Sequence, residues 1–103
     1  MARADQQALL DLQTAAAGVC AALGDERVAA LTEGQYAALI DFAFNVGVSA
    51  FSNSGLCVRL RSGQLAAVPA EIEKWKYGRV NVVETVLPGL VTRRAAEVRV
   101  WLT

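Results

Sequence analysis

The chain has 103 residues, enough for one domain with a single modest core. Ten basic and ten acidic side chains cancel, so no net field draws it toward nucleic acid, an anionic membrane or a cell wall. Histidine is absent, which removes His-based triads, His general bases and nearly every ordinary zinc site, and no metal or cofactor is expected.

Apolar residues make up 54% of the chain, high for a domain this small, and that excess suggests a partner surface. No apolar run approaches the roughly 20 residues of a spanning helix. The start, MARADQQ, lacks signal-peptide character; a cytoplasmic protein is expected. Cys20 and Cys57 fall in apolar helical patterns and in no metal spacing, and read as reduced core thiols.

Residues 4–23 read as a helix with Leu9, Leu12, Ala16, Val19, Cys20 and Leu23 on one face. Gly24 and Asp25 end it, and 24–30 reads as a short connection. The organising stretch follows, LTEGQYAALIDFAFNVGVSAF from Leu31 to Phe51. Thr32 stands three residues before Gln35, the capping-box spacing. Tyr36, Leu39, Ile40, Ala43 and Val46 recur at helical intervals, and Phe42 and Phe44 widen the apolar surface, so this helix should be surrounded on most sides. Gly47 supplies the stop. Asn45 is polar among apolar neighbours and is the residue there most open to another role.

The SNSG cluster, Ser52 to Gly55, is a turn whose side chains can cap the next short helix. In that helix Leu56, Cys57 and Leu60 face inward and Arg59 and Arg61 outward, with Gly63 at the end. Pro69 interrupts a helical pattern from Gln64 to Trp75. Either two short helices meet there, or Pro69 is a first-turn residue. Gly78 marks an end, and Arg79 to Val86, rich in β-branched residues, reads as an ordered loop or a single short strand. Pro88 opens the last helix, from which Val91, Ala95, Val98 and Leu102 project to one side, while Glu97 pairs with Arg93 or Arg94 one turn earlier on a solvated face.

The segments LTEGQYAALIDFAFNVGVSAF, SNSGLCVRLRSGQ, EIEKW and VLPGLVTRRAAEVRVWL together resemble the helical lobe of phage-type lysozymes, glycoside hydrolase family 24. The resemblance runs from about Leu31 to Thr103, with residues 1–23 matching the helix that links the two lobes. It implies an all-α, five- to six-helix lysozyme-like helical lobe in a single domain over 1–103.

The family's activity requires a glutamate acid on a small N-terminal lobe, followed on a hairpin by Asp or Cys and then Thr, in the pattern Glu-x8-Asp/Cys-x5-Thr. The chemistry needs a raised-pKa acid beside the leaving oxygen and a second group placing the water or the sugar. Nine residues after Glu26, Glu33, Glu71, Glu73 and Glu84 stand Gln35, Phe42, Val80, Val82 and Arg93, and Glu97 has too little chain after it. Asp11 lies nine residues before Cys20, but Glu26 stands where Thr belongs. No catalytic residue is therefore assigned.

What the resemblance carries over is the cleft wall: Asn45 on the FNVG helix, Trp75 as an aromatic beside it, and Ser54 of the NS turn. Arg93 and Arg94 match the family's RR pair. Three features depart from the family: the longer β-branched segment at 79–85, Pro69, and the even charge balance. A wall without its small lobe leaves apolar area uncovered. Covering about 400 Å² again would contribute around 10 kcal/mol gross before association costs. Leu9, Leu12, Val82 and Val83 are the expected partner surface, met by a second copy or another protein. Three readings follow: a catalytically inactive module acting by protein contact or regulation, which is favoured; a binder of peptidoglycan fragments; or a truncated or split muramidase. Arg59, Arg61, Lys74, Lys76 and Arg79 could gather on one face, yet the charge balance and the lack of interleaved aromatics disfavour nucleic acid.

Overall fold

Thr32 and Gln35 set where the central helix begins. Thr32 Oγ1 accepts from the Gln35 backbone N–H at 3.0 Å, and Gln35 Oε1 accepts from the Thr32 N–H at 2.9 Å. This reciprocal box satisfies two of the donors that a helix start leaves orphaned. The helix runs Glu33–Val46 and stops at Gly47, whose φ of 99° lies where residues with a Cβ are rare.

The computed structural model describes residues 2–80 and 83–103, with side chains described for 10–77 and 85–103. In chain order the helices are α1 (Ala2–Leu23), α2 (Asp25–Ala29), α3 (Glu33–Val46), α4 (Val48–Ser52) and α5 (Gly55–Arg61). A 3-10 turn (Leu65–Ala67) leads into α6 (Val68–Glu73), then come β1 (Tyr77–Val80), β2 (Val83–Val86) and α7 (Pro88–Trp101). The all-α reading holds. The helices outnumber the expectation because 24–30 coils into a turn of its own and Gly47 divides 31–51 into two.

The core lies where α3 packs between α1 and α7. α1 presents Ala15, Val19 and Leu23 at four-residue steps, and α3 answers with Ala38, Leu39, Phe42 and Ala43. Phe51, Leu56, Cys57, Leu60, Val68, Ile72 and Trp101 close the rest. Each large apolar side chain buried in this way contributes about 1.5–3 kcal/mol. Cys57 is buried and Cys20 half-buried, both as free thiols, with the Cys20 Sγ 3.4 Å from the Tyr36 hydroxyl. Arg61 Nε donates to the Ala22 carbonyl at 3.0 Å, tying α5 to an unpaired acceptor at the end of α1.

Four expectations change. α3 keeps a solvent side: Ala37, Asp41, Phe44 and Asn45 are exposed, because Asp41 and Asn45, four apart, carry a polar stripe beside which Phe44 lies. The segment at 79–86 is the greater part of an antiparallel hairpin, pairing Tyr77 with Val86 and Val80 with Val83, closed below by Leu87 N–H donating to the Lys76 carbonyl at 2.9 Å. Pro69 sits in the first turn of α6, and the 3-10 turn before it supplies the second short helix, so both readings of that proline are partly realised.

The fourth is α7, whose buried face lies about 100° around the helix from the expected one, with only Val98 of the expected set packed against the core. Arg94, Glu97 and Trp101 are buried, whereas Val91 and Leu102 are 43% and 71% exposed. The indole of Trp101 removes more apolar area from water than the valines would, and Arg94 and Glu97 enter together, 2.8 Å apart at their nearest atoms.

Two glycines test this packing. A Cβ on Gly34 would lie 2.7 Å from the Val100 carbonyl oxygen, a backbone atom that cannot step aside, whereas one on Gly89 meets nothing within 4 Å. Gly34→Ala should therefore destabilise the fold by about 1–3 kcal/mol, and Gly89→Ala should leave it unchanged or raise stability by about 0.5 kcal/mol. Urea midpoints for the two variants give the comparison.

Candidate functional site

The polar centre of the molecule is built on α7 and received by α3. Arg94 and Glu97, three residues apart, project from one face of α7, and their side chains are 2% and 1% exposed. Arg94 Nε approaches Glu97 Oε1 to 2.8 Å without hydrogen-bond alignment; the aligned contact is Nη2–H donating to Oε2 at 3.2 Å. The same Nη2 donates to Asn45 Oδ1 at 2.7 Å. The guanidinium also lies 5.1 Å from the centre of the Phe42 ring, a cation–π placement that favours its charge inside the protein. Arg93 reaches Asp41 only at 4.0 Å between half-exposed side chains, which adds little.

Asn45 thus stands at the surface with its carbonyl turned inward. Trp75 is half-buried and sets its edge on Phe42, centroids 5.5 Å apart and planes at 89°. Phe42 is the hub that joins these two. Ser54 lies apart, joined only through Phe51, which packs on Phe42 at 6.3 Å. The Ser54 hydroxyl donates to the Phe51 carbonyl at 2.6 Å and accepts from Cys57 N–H at 3.2 Å, so it serves as the cap of α5. Of the expected partner surface, Leu12 is exposed. Val82 lies outside the described residues, as do the side chains of Leu9 and Val83.

Among the described residues two acids are buried, and their environments differ. Burial pushes the Glu97 carboxyl up to about 8; a hydrogen bond with Asp41 and the Asp41 charge add to the rise, while Arg94 and Arg93 oppose it. A carboxyl raised on folding stabilises the native state fully below its unfolded value near 4.5, and that stability is lost as pH rises through about 8. Raising the pH from 5 to 9 should cost the wild type on the order of a few kcal/mol that Glu97→Gln does not lose. Denaturant midpoints of the two proteins across that range measure it.

Glu71 goes the other way. The Lys74 hydrogen bond at 3.0 Å, seconded by Arg59 at 3.4 Å, holds it below the usual carboxylate range against the push of burial. It clamps α5 to α6, and a Cβ on Gly55 would come within 2.8 Å of its Oε1. Arg59, Lys74 and Arg61 therefore have partners inside the fold rather than forming a free cationic face.

Small grooves of about 150–230 Å³ open among the described residues. One of about 150 Å³ is lined by Glu73, Lys76, Val86, Val91 and Arg94. A second, about 230 Å³, runs between α1 and α3 past Asp11, Thr14 and Phe44. The third, about 150 Å³, is apolar, between Leu23, Leu31, Leu60 and Leu65. Asp11 and Cys20 both lie in α1, where nine residues at about 100° each place them on opposite faces, so their spacing builds no acid–thiol pair. Among the described residues no group of three or more Cys, Asp or Glu side chains could hold a metal ion, and no helix is long and apolar enough to cross a membrane.

The family profile named phage lysozyme matches residues 1–97. The chain belongs to the phage lysozyme family. Among its relatives is an endolysin of Acyrthosiphon pisum secondary endosymbiont phage 1, 39% identical over 92 residues, covering 89% of this chain and 63% of the endolysin. An endolysin of Bacillus phage PZA is 38% identical over 97 residues, 94% of this chain but 32% of that protein. The chain therefore spans less than two thirds of the relatives it matches. The muramidase domain of SpmX from Asticaccaulis excentricus superposes with a TM-score of 0.86 at 30% identity, covering 97% of this chain and 65% of that one. An endolysin from Escherichia coli O157:H7 phage FAHEc1, at 24% identity, shares the fold with a TM-score of 0.85 over 97% of this chain and 61% of that one.

Sequence reasoning singled out Asn45, Trp75 and Ser54, of which the structure groups Asn45 and Trp75 about Phe42 and leaves Ser54 apart as a cap; it placed Arg94 and Glu97 on a solvated face, whereas both are buried. The available signal was their spacing: two opposite charges three apart, with Trp101 seven residues beyond Arg94 on the same stripe.

Proposed function

We propose that this chain is the non-catalytic half of a phage-type lysozyme: it forms the wall of a glycan cleft and acts through contact with a second polypeptide surface. The observation that carries this reading is the state of its buried acids. A general acid for glycoside cleavage must combine a raised pKa with access to the leaving oxygen. Glu97 has the first without the second, being sealed against Arg94. Glu71 has neither, because Lys74 and Arg59 hold it ionised. No glutamate in these 103 residues begins the family's catalytic pattern.

The relatives named as endolysins and as a muramidase domain support peptidoglycan as the polymer in question. The contact role is supported by Leu10, Leu12, Phe44, Tyr77 and Val86, large apolar side chains left exposed on α1, α3 and the hairpin. Sedimentation of the purified chain tests it: a concentration-dependent dimer that Leu10→Glu with Leu12→Glu returns to monomer is the expected outcome. A monomer at every concentration would count against self-contact.

A further inference from the structure

A ribbon of two strands is at best marginally stable alone, and strands normally gain their stability from a third strand or a packed helix. In this hairpin each strand packs on the other, and neither runs along a helix. The side chains at its base are open to solvent as well, Tyr77 at 50% and Val86 at 45% exposure. A ribbon held out in this way lacks one thing, a further strand.

The ladder shows where that strand would go. Antiparallel pairs alternate between those that exchange backbone hydrogen bonds and those that do not. Leu87 N–H donates to the Lys76 carbonyl, so the Lys76–Leu87 pair is a bonded one. The register sets Tyr77 opposite Val86 and Arg79 opposite Glu84, and by alternation neither of these pairs is bonded. The N–H and C=O of Tyr77 and Arg79 therefore point away from β2, along the outer edge of β1. Neither strand contains proline, and the register is continuous without a bulge, so the usual obstacles to edge pairing are missing.

The β1 edge is self-complementary. Two copies of β1 related by a two-fold axis at Gly78 set residue 77 of each opposite residue 79 of the other, in about four backbone hydrogen bonds. That register keeps the two Arg79 positions from lying directly opposite each other, and the two glycines meet where the backbones approach most closely. The β2 edge is less suited. Val86 lines a groove with Val91 and Arg94 of α7, so the body of the protein stands beside it. Pairing β1 head-to-tail with a second β2 would match Arg79 to Glu84, but such a contact does not close and builds a filament.

A strand pair this short is too small to hold a dimer by itself, since stable interfaces bury about 1,200–2,000 Å². It is continuous with a larger face. Phe44 lines a groove with Asp11 of α1, and the next residue, Asn45, is bonded to Arg94, which shares its groove with Val86. α1, the exposed end of α3 and the hairpin thus border one another. We infer that the hairpin is a docking arm whose β1 edge pairs with β1 of a second copy of this chain, making a four-stranded antiparallel sheet across a two-fold axis. The inference rests on the proposed contact role and names both the second polypeptide and the way it is held.

The test combines sedimentation of the full chain with amide hydrogen exchange, in the wild type, Arg79→Pro and Glu84→Pro. Each proline removes one outward N–H and spares the bonds within the hairpin. The Tyr77 and Arg79 amides of the wild type should exchange at least about tenfold more slowly in the dimer than after dilution. Arg79→Pro should weaken dimerisation at least about tenfold, and Glu84→Pro should leave it unchanged. Slow exchange at Leu87 N–H shows that the hairpin is intact in each variant.

A dimer whose Tyr77 and Arg79 amides exchange as fast as in the monomer would overturn the inference, whatever Arg79→Pro does to the hairpin. The contact role would still stand if Leu10→Glu with Leu12→Glu abolished that dimer. Weakening by Glu84→Pro alone would move the pairing to β2, and species larger than a dimer lost with either proline would make it head-to-tail; either result overturns the two-fold β1 pairing. A chain that is monomeric at every concentration would remove the inference and self-contact together.

Discussion

Arg94→Ala should destabilise this protein by about 3–5 kcal/mol, and Glu97→Ala by a similar amount, whereas Arg94→Met combined with Glu97→Leu should fold with nearly wild-type stability. The asymmetry follows from where the two side chains lie. With Arg94 gone, Glu97 keeps a carboxyl at 1% exposure with no cation beside it, and the cost is that of an uncompensated buried polar group plus the cavity over Phe42. With Glu97 gone, the guanidinium retains Asn45, the Phe42 ring and the more exposed Asp41, but loses the carboxyl that touches it. When both are replaced by apolar groups of matching volume, neither penalty remains. Urea denaturation of the three variants decides the matter. If the double variant lost as much as either single one, the pair would itself be a source of cohesion. If both single variants were neutral, the pair would not be buried in solution as it is here.

That pair also shows where reading from sequence reached its limit. The features that local rules govern were legible: the Thr32–Gln35 box, the Gly47 stop, the Ser54 cap, and the inward set Leu56, Cys57 and Leu60 each follow from residues within about one turn. α2 and α4 span five residues each, too short for a periodic pattern to reveal them. The inward face of α7 depended on α3, since the partner that makes Arg94 tolerable inside, Asn45, is 49 residues away. A count of apolar residues on α7 favoured Val91, Ala95, Val98 and Leu102, and the spacing of Arg94, Glu97 and Trp101 shows that they share a stripe without showing that the stripe is buried. The hairpin was half-seen because its first strand includes Gly78, a residue that reads as punctuation and not as strand.

The second large effect concerns hydrolysis. A glycosidase that loses its acid loses nearly all of its rate, since protonation of the leaving oxygen and placement of the attacking group together supply most of the barrier reduction. A cleft wall could hold a sugar, but holding ground state and transition state alike does not speed bond cleavage. The acids best shielded from water are occupied: Glu71 by Lys74 and Arg59, Glu97 by Arg94.

The most direct measurement is the release of reducing sugar ends from purified peptidoglycan by this chain alone, at neutral pH. The account predicts release indistinguishable from the protein-free blank, over hours and at micromolar protein. Steady release above that blank, scaling with protein and lost on unfolding, would contradict it, because it would place a working acid within these 103 residues.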